Sequence, residues 1–296
     1  MKLSILITAF KEEKTIGKAI DSFLNQDIKE DYELIVMAPD KETLNESKKY
    51  LLKTKKLKLV KDPGKGKSYA INKLLPKIKS EIIILTDGDV FVSENSVNGI
   101  LEKFKNPEIG CVTGRPFPQE DRSTKYGYWA NFLFDSAHKM RAKLKSENKF
   151  LECSGYLWAF RNKVIKEFPL DVAEDTIVPY LFSEKGYKID YAEKALVHIK
   201  NTDNWKDWLS QKTRTSKAHE KLDKYVDTKK FPKGKSFLNE AKGVFSLFAY
   251  PRTPIQFFWS IELFLARFYM WLIVFNDAHI KKKYYQDGWD RIESTK

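Results

Sequence analysis

Glu81-Ile82-Ile83-Ile84-Leu85-Thr86-Asp87-Gly88-Asp89 is the stretch that decides the fold. Its apolar run is continuous rather than alternating, which marks a strand buried on both faces. Such strands belong to mostly parallel sheets covered by helices on each side. The run ends in two carboxylates, one residue apart, around a glycine. Open α/β sheets bind ligands beyond the carboxyl ends of their strands. Two carboxylates there can face one hard cation, and Mg²⁺ or Mn²⁺ prefers oxygen ligands. An ordinary Asp-Gly surface turn would use the same residues.

The segments before this stretch repeat its logic. Leu3–Phe10, Glu33–Ala38 and Leu57–Val60 are predicted strands. Between them, Ile16, Ala19, Ile20, Phe23 and Leu24 fall on one helical face. Glu42–Leu52 and Ser68–Leu75 are also expected to be helical, the latter stopped near Pro76. Alternating strands and helices predict an α/β domain. Polar clusters at Thr8–Glu13, Pro39-Asp40, Asp62–Lys67 and Asp87–Asp89 would then gather at one sheet edge. Met1–Phe10 is expected to be a core strand and not a signal peptide, because Lys11-Glu12-Glu13-Lys14 interrupts the apolar run.

Beyond residue 110 the pattern loosens. Cys111–Gly114, Tyr156–Phe160, Tyr187–Ala192 and Ala195–Ile199 read as strands and Tyr126–Lys145 as a helix. Glu174-Asp175 can provide a general base, or Asp175 can cap a helix over Thr176–Glu184. His198, in an apolar run, is either a packed core histidine or a metal ligand. Tyr128, Trp129, Tyr156 and Trp158 either line an acceptor groove or fill the core. Cys111 and Cys153 are too few for a disulfide framework or a cysteine-based zinc site.

The formal net charge is +13, and more than half of it falls after residue 200. Phe, Trp and Tyr are dense from Phe237 onward. Basic residues beside aromatics fit a polyanion or an anionic membrane surface. No helix-turn-helix, RNA-binding or zinc signature is present, so a nucleic-acid partner is not expected.

The ordered motifs resemble the inverting family 2 glycosyltransferases of the GT-A fold. The matching pieces run from Ile5-Leu6-Ile7-Thr8-Ala9-Phe10-Lys11-Glu12-Glu13 through Asp40, Gly64–Asn72, Asp87-Gly88-Asp89, Gly114-Arg115-Pro116 and Cys153-Ser154-Gly155 to Glu174-Asp175. His198 and Gln211-Lys212-Thr213-Arg214 follow, so the resemblance covers about residues 3–215. It implies a catalytic domain over residues 1–230 and a helical, membrane-associated extension over 231–296. It further implies that Ala9, Phe10, Glu12 and Asp40 hold the nucleoside of a UDP- or GDP-sugar, with Lys67 close by. Asp87 would contact ribose or sugar. Asp89, with His198, would bind Mg²⁺ or Mn²⁺, and Asp175 would be the catalytic base. Gln211 and Arg214 match the Gln-x-x-Arg part of a signature in membrane-associated relatives, with Thr215 in place of its tryptophan.

The expected acceptor is a lipid-linked saccharide or other glycan, at the cytoplasmic face of the membrane. Ile255–Asn276 is long enough to span a bilayer, but Glu262, Arg267 and the flanking lysines favour a hairpin with residues 236–250 or a helix lying in the interface. The alternatives are a polyprenyl-phosphate glycosyl synthase, a noncatalytic scaffold and a nucleic-acid-binding protein.

Overall fold

The computed structural model describes residues 2–234, 236–288 and 293–295. Its first half alternates β1 (Leu3–Thr8), α1 (Ile16–Leu24), β2 (Tyr32–Ala38), α2 (Lys41–Lys48), β3 (Leu57–Lys61), α3 (Lys67–Leu74) and β4 (Ile82–Asp87). There follow β5 (Val90–Val92), α4 (Ser96–Lys103), β6 (Ile109–Pro118), α5 (Lys125–Ser146), β7 (Leu157–Arg161), α6 (Glu174–Glu184), β8 (Lys188–Ile199) and α7 (Trp205–Lys217). The chain ends in α8 (Phe237–Lys242), α9 (Val244–Ala249) and α10 (Pro254–Phe275).

Eight strands form one sheet in the order β3-β2-β1-β4-β7-β6-β8-β5. The β3-β2-β1-β4 half is parallel. Beyond it, β7 runs antiparallel to both β4 and β6, β6 and β8 are parallel, and β5 is antiparallel to β8. Side-chain alternation explains the continuous apolar runs. Ile5, Ile7, Leu34, Val36, Ile82 and Ile84 face a cluster closed by Ile16, Ile20 and Phe23 of α1. Leu6, Ile35, Met37, Ile83 and Leu85 face the opposite cluster, closed by Ala70, Ile71 and Leu74 of α3 and Ile177 and Val178 of α6.

A third cluster joins Tyr128, Trp129 and Phe132 of α5, Trp208 of α7, Leu247 of α9 and Leu263 and Ala266 of α10. Tyr128 and Trp129 are therefore core residues. The Tyr128 hydroxyl is 2.6 Å from Ser260 Oγ, and Trp129 Nε1 donates to the Trp259 carbonyl at 2.8 Å. Trp158 is also fully buried. The two expected strands at 187–199 are one, and its ladder with β6 continues across a register shift between Thr113 and Arg115.

Candidate active site

The carboxyl ends of β1 and β4 are register partners, Thr8 opposite Asp87. Thr8 Oγ1 donates toward the Thr86 carbonyl and Asp87 Oδ1, each at 3.2 Å. Gly88 then turns tightly against β1, its N–H donating to the Thr8 carbonyl at 2.9 Å. A Cβ on Gly88 would stand 2.7 Å from Ala9 Cβ, closer than two carbons can approach. Glycine is thus what lets Asp87 and Asp89 project from the end of the sheet.

Lys67 opens α3 and reaches two carboxylates. Its Nζ lies 2.8 Å from Asp87 Oδ1 and 2.8 Å from Glu174 Oε1. Burial alone would make this ammonium easier to deprotonate, but Asp87 and Glu174 outweigh it and hold its pKa well above the usual lysine value.

Helix α6 starts earlier than an Asp175 cap requires. Ala173 is the N-cap and Glu174 the first helical residue, so Asp175 lies in the first turn, where its carboxylate meets the positive end of the helix. Its back is covered by the Cys153-Ser154-Gly155 loop, since a Cβ on Gly155 would fall 2.7 Å from Asp175 Oδ2. Burial, then the negative charge of Glu174, push the Asp175 pKa up to about 6 against the pull of Lys67 and His219. Burial and Asp87 push Asp89 up to about 7, opposed in part by Lys67 and Arg214.

One cavity of about 1090 Å³ connects these groups. Phe10, Glu12, Lys67, Asp87, Asp89, Asp175, Gln211 and Arg214 all line it. Tyr156 lines it too, its hydroxyl pushed up in pKa by burial and then by Asp89 and Asp87. Ala9 and Asp40 lie outside the lining. Ala9 is buried beneath Gly88. Asp40 is the N-cap of α2 and accepts the N–H groups of Thr43 and Lys11, each at 2.8 Å. Burial would raise its pKa, but these bonds hold it below the usual carboxylate range.

The expected grouping of His198 with Asp89 around one cation is not formed. Pairing of β5 with β8 sets His198 opposite Phe91. Its Nε2 is 2.8 Å from Ser93 Oγ and its ring meets Phe117 edge-on at 5.7 Å, away from the cavity. Among the described residues no three His, Cys, Asp or Glu side chains are gathered tightly enough to enclose a metal. Asp87 and Asp89 nevertheless fit a cation that takes its remaining ligands from bound phosphate or water. Two neighbouring carboxylates, one of them buried and protonated more readily for that reason, are the donor set a hard cation stabilises.

Several lining residues escaped the sequence reading. Ala218 and His219 extend the stripe of Gln211, Arg214 and Thr215, a spacing that helical periodicity could have flagged. His219 Nε2 is 3.0 Å from Glu152 Oε2. Tyr285 also lines the cavity, and near it the Asp287 carboxylate accepts the N–H groups of Ser68 at 3.2 Å and Tyr69 at 2.9 Å. No local pattern announces such a return of the chain from residue 285 to α3.

Residues 4–168 match the family described as glycosyl transferase family 2. The O-antigen chain rhamnosyltransferase RfbN of Salmonella typhimurium is 27% identical over 124 residues, 39% of this chain and 40% of that protein. The match therefore spans about two fifths of that relative. The probable glycosyltransferase YdaM of Bacillus subtilis is 26% identical over 294 residues, covering 94% of this chain and 68% of YdaM. In fold, the chain is similar to the mannosyltransferase PcManGT from Pyrobaculum calidifontis, solved with GDP-Man and Mn²⁺. The TM-score is 0.59 at 15% identity, covering 95% of this chain and 80% of that one. S. aureus TarS 1–349 with UDP-GlcNAc gives a TM-score of 0.51 at 16% identity, covering 97% and 93%.

Proposed function

The chain belongs to glycosyl transferase family 2, and from that premise we propose that it transfers a sugar, with inversion, from a UDP- or GDP-sugar to a hydroxyl of a lipid-linked saccharide or other membrane glycan. The observation that carries this reading is the single cavity joining Asp87 and Asp89 to Asp175 and Arg214. Phe10 and Glu12 stand at its β1 end, suited to the nucleoside. Asp87 and Asp89 would hold Mg²⁺ or Mn²⁺, which when bound supplies charge neutralisation of the leaving diphosphate. Arg214 adds a fixed cation on the same wall and can grip phosphate oxygens through paired N–H groups.

The acceptor hydroxyl attacks the anomeric carbon from the face opposite the diphosphate. The bond from the anomeric carbon to the phosphate oxygen breaks, the nucleoside diphosphate leaves, and the hydroxyl proton passes to Asp175. A base with pKa about 6 is ionised at neutral pH yet can still hold a proton. No second nucleophilic carboxylate is needed for this single displacement.

The apolar helix α10 supports a place at the cytoplasmic membrane face. Its buried stripe, Gln256, Ser260, Leu263, Ala266, Met270 and Val274, runs nearly its full length. A helix docked along that stripe suits lying in the interface better than crossing the bilayer alone. The remaining faces expose Phe258, Leu265, Leu272 and Phe275, each more than half accessible. Arg267 turns inward to Glu240, and Glu262 pairs with Lys125 at 3.6 Å, which lowers the cost of contact with lipid.

Purified protein with Mn²⁺ and a panel of sugar nucleotides should transfer from one of them to a lipid-linked saccharide. Asp175→Asn should keep nucleotide binding and lose transfer by a factor on the order of 10²–10⁴. Full transfer by that variant would remove Asp175 as base, and efficient transfer to polyprenyl phosphate alone would favour a glycosyl-phosphate synthase.

A further inference from the structure

The cavity also holds a charged group to which the donor reading assigns no role. Trp208, Lys212 and Ser216 recur every four residues on α7, so they share one side of it. Trp208 packs against Trp129 at 5.1 Å, within the cluster that holds Leu263 and Ala266. Ser216 Oγ donates to Met270 Sδ at 3.4 Å. Lys212 therefore sits beneath α10, between two contacts that are wholly internal, and it lines the cavity.

Its surroundings do not neutralise it. Arg267 of α10 and Glu240 of α8 are its charged neighbours. Glu240 is already committed: Arg267 grips both of its oxygens, Nε to Oε2 at 2.9 Å and Nη2 to Oε1, and Trp271 Nε1 donates to Oε2 at 3.0 Å. Among the described residues Lys212 forms no ion pair of its own. Burial and then the like charge of Arg267 lower its pKa to about 8. Two cations share one carboxylate in a low-dielectric pocket, a surplus that an anion would relieve.

The same cavity reaches the exposed apolar face of α10. Phe264 and Phe268 line it and are both exposed on α10. One cavity thus brings together exposed apolar rings of α10, two cations and Asp175. That set of environments fits an amphiphile with a hydrocarbon chain, an anionic linkage and a polar sugar end.

We infer that Lys212 and Arg267 form an acceptor subsite for the phosphate or diphosphate linkage of a lipid-bound saccharide, whose hydrocarbon chain leaves past Phe264 and Phe268. This rests on the glycosyltransferase reading, and it names the acceptor class and the residues that select it.

Farnesyl diphosphate is a soluble probe of the linkage and chain. In titrations of the full chain, it should bind at least tenfold more tightly than farnesol, a comparison that needs no variant. Lys212→Met should weaken farnesyl diphosphate at least tenfold and leave nucleotide binding and the melting temperature intact, whereas Lys212→Arg should retain most of the affinity. Equal affinity for farnesol, or no effect of Lys212→Met, would overturn the subsite. Inorganic pyrophosphate that binds as tightly and loses as much in Lys212→Met would make it a free-anion site and overturn the lipid assignment. If no sugar nucleotide binds while these ratios hold, the proposed transfer fails and the subsite stands.

Discussion

At the residue scale, the catalytic proposal turns on how burial sets the carboxyl group of Asp175. Asp175 owes its raised pKa to desolvation first and Glu174 second. The ionised base exists only above its pKa, so transfer should be full at neutral pH and fall as pH drops through about 6. A divalent cation bound nearby would pull this limb lower, so the profile recorded at low and high Mn²⁺ should separate. A profile flat down to pH 4 would sink the assignment. Gly155 provides a second test of the same carboxylate. Gly155→Ala places a methyl 2.7 Å from Asp175 Oδ2, so the carboxylate must move. A displacement of about 1 Å can cost on the order of 10²-fold in rate. The loss is expected in kcat with nucleotide affinity unchanged, measured by steady-state kinetics and nucleotide titration. Lys67 is different, because its role is as much cohesive as chemical. Lys67→Met would leave Asp87 and Glu174 facing each other without their shared cation. Breaking a buried pair in this way costs about 3–5 kcal/mol, which denaturant unfolding would record.

At the element scale, what the sequence revealed depended on how local the cause was. The continuous run at Ile82–Leu85 and the stripe Ile16, Ala19, Ile20, Phe23 are local consequences of burial, and both elements form where expected. The start of α6 was missed by two residues because Ala173 has no capping side chain to announce it. His198 was misplaced for a related reason: its surroundings follow from the pairing of β5 with β8, and β5 has only three residues. The apolar length of α10 was legible, but its orientation was not. That comes from the third core cluster, whose members are far apart in sequence. The exposed side of α10 makes a direct prediction. Phe258→Glu with Leu265→Glu, both at outward positions, should abolish flotation with anionic liposomes while leaving soluble-nucleotide binding intact. Flotation unaffected by both charges would argue that this face meets another surface.

At the scale of the whole molecule, the catalytic sheet and the carboxyl-terminal segments are tied together through one buried carboxylate. Glu152 Oε1 accepts the Tyr180 hydroxyl of α6 at 2.5 Å and the Gly234 N–H at 2.9 Å, while Oε2 meets His219 at 3.0 Å. Four distant segments thus converge beside the loop that backs Asp175. Glu152 is absent from the sequence-derived site, since its link to His219 across 67 residues leaves no local trace. Burial would raise the Glu152 pKa, but the charge of His219 and these hydrogen bonds overcome it and hold it down to about 2. A depressed native pKa contributes stability that is complete above the unfolded value, near 4.5, and is lost as pH falls toward 2. Glu152→Gln cannot ionise, so it should be less stable than the parent at pH 7, and the gap should close between about pH 4.5 and 2. The comparison is made by denaturant unfolding of both proteins across that range. Because Glu152 also braces the Cys153–Gly155 loop, the variant should lose transfer activity in excess of its loss of fold at pH 7. Equal stability of the two proteins at pH 7 would show that this convergence of segments contributes nothing to holding the site.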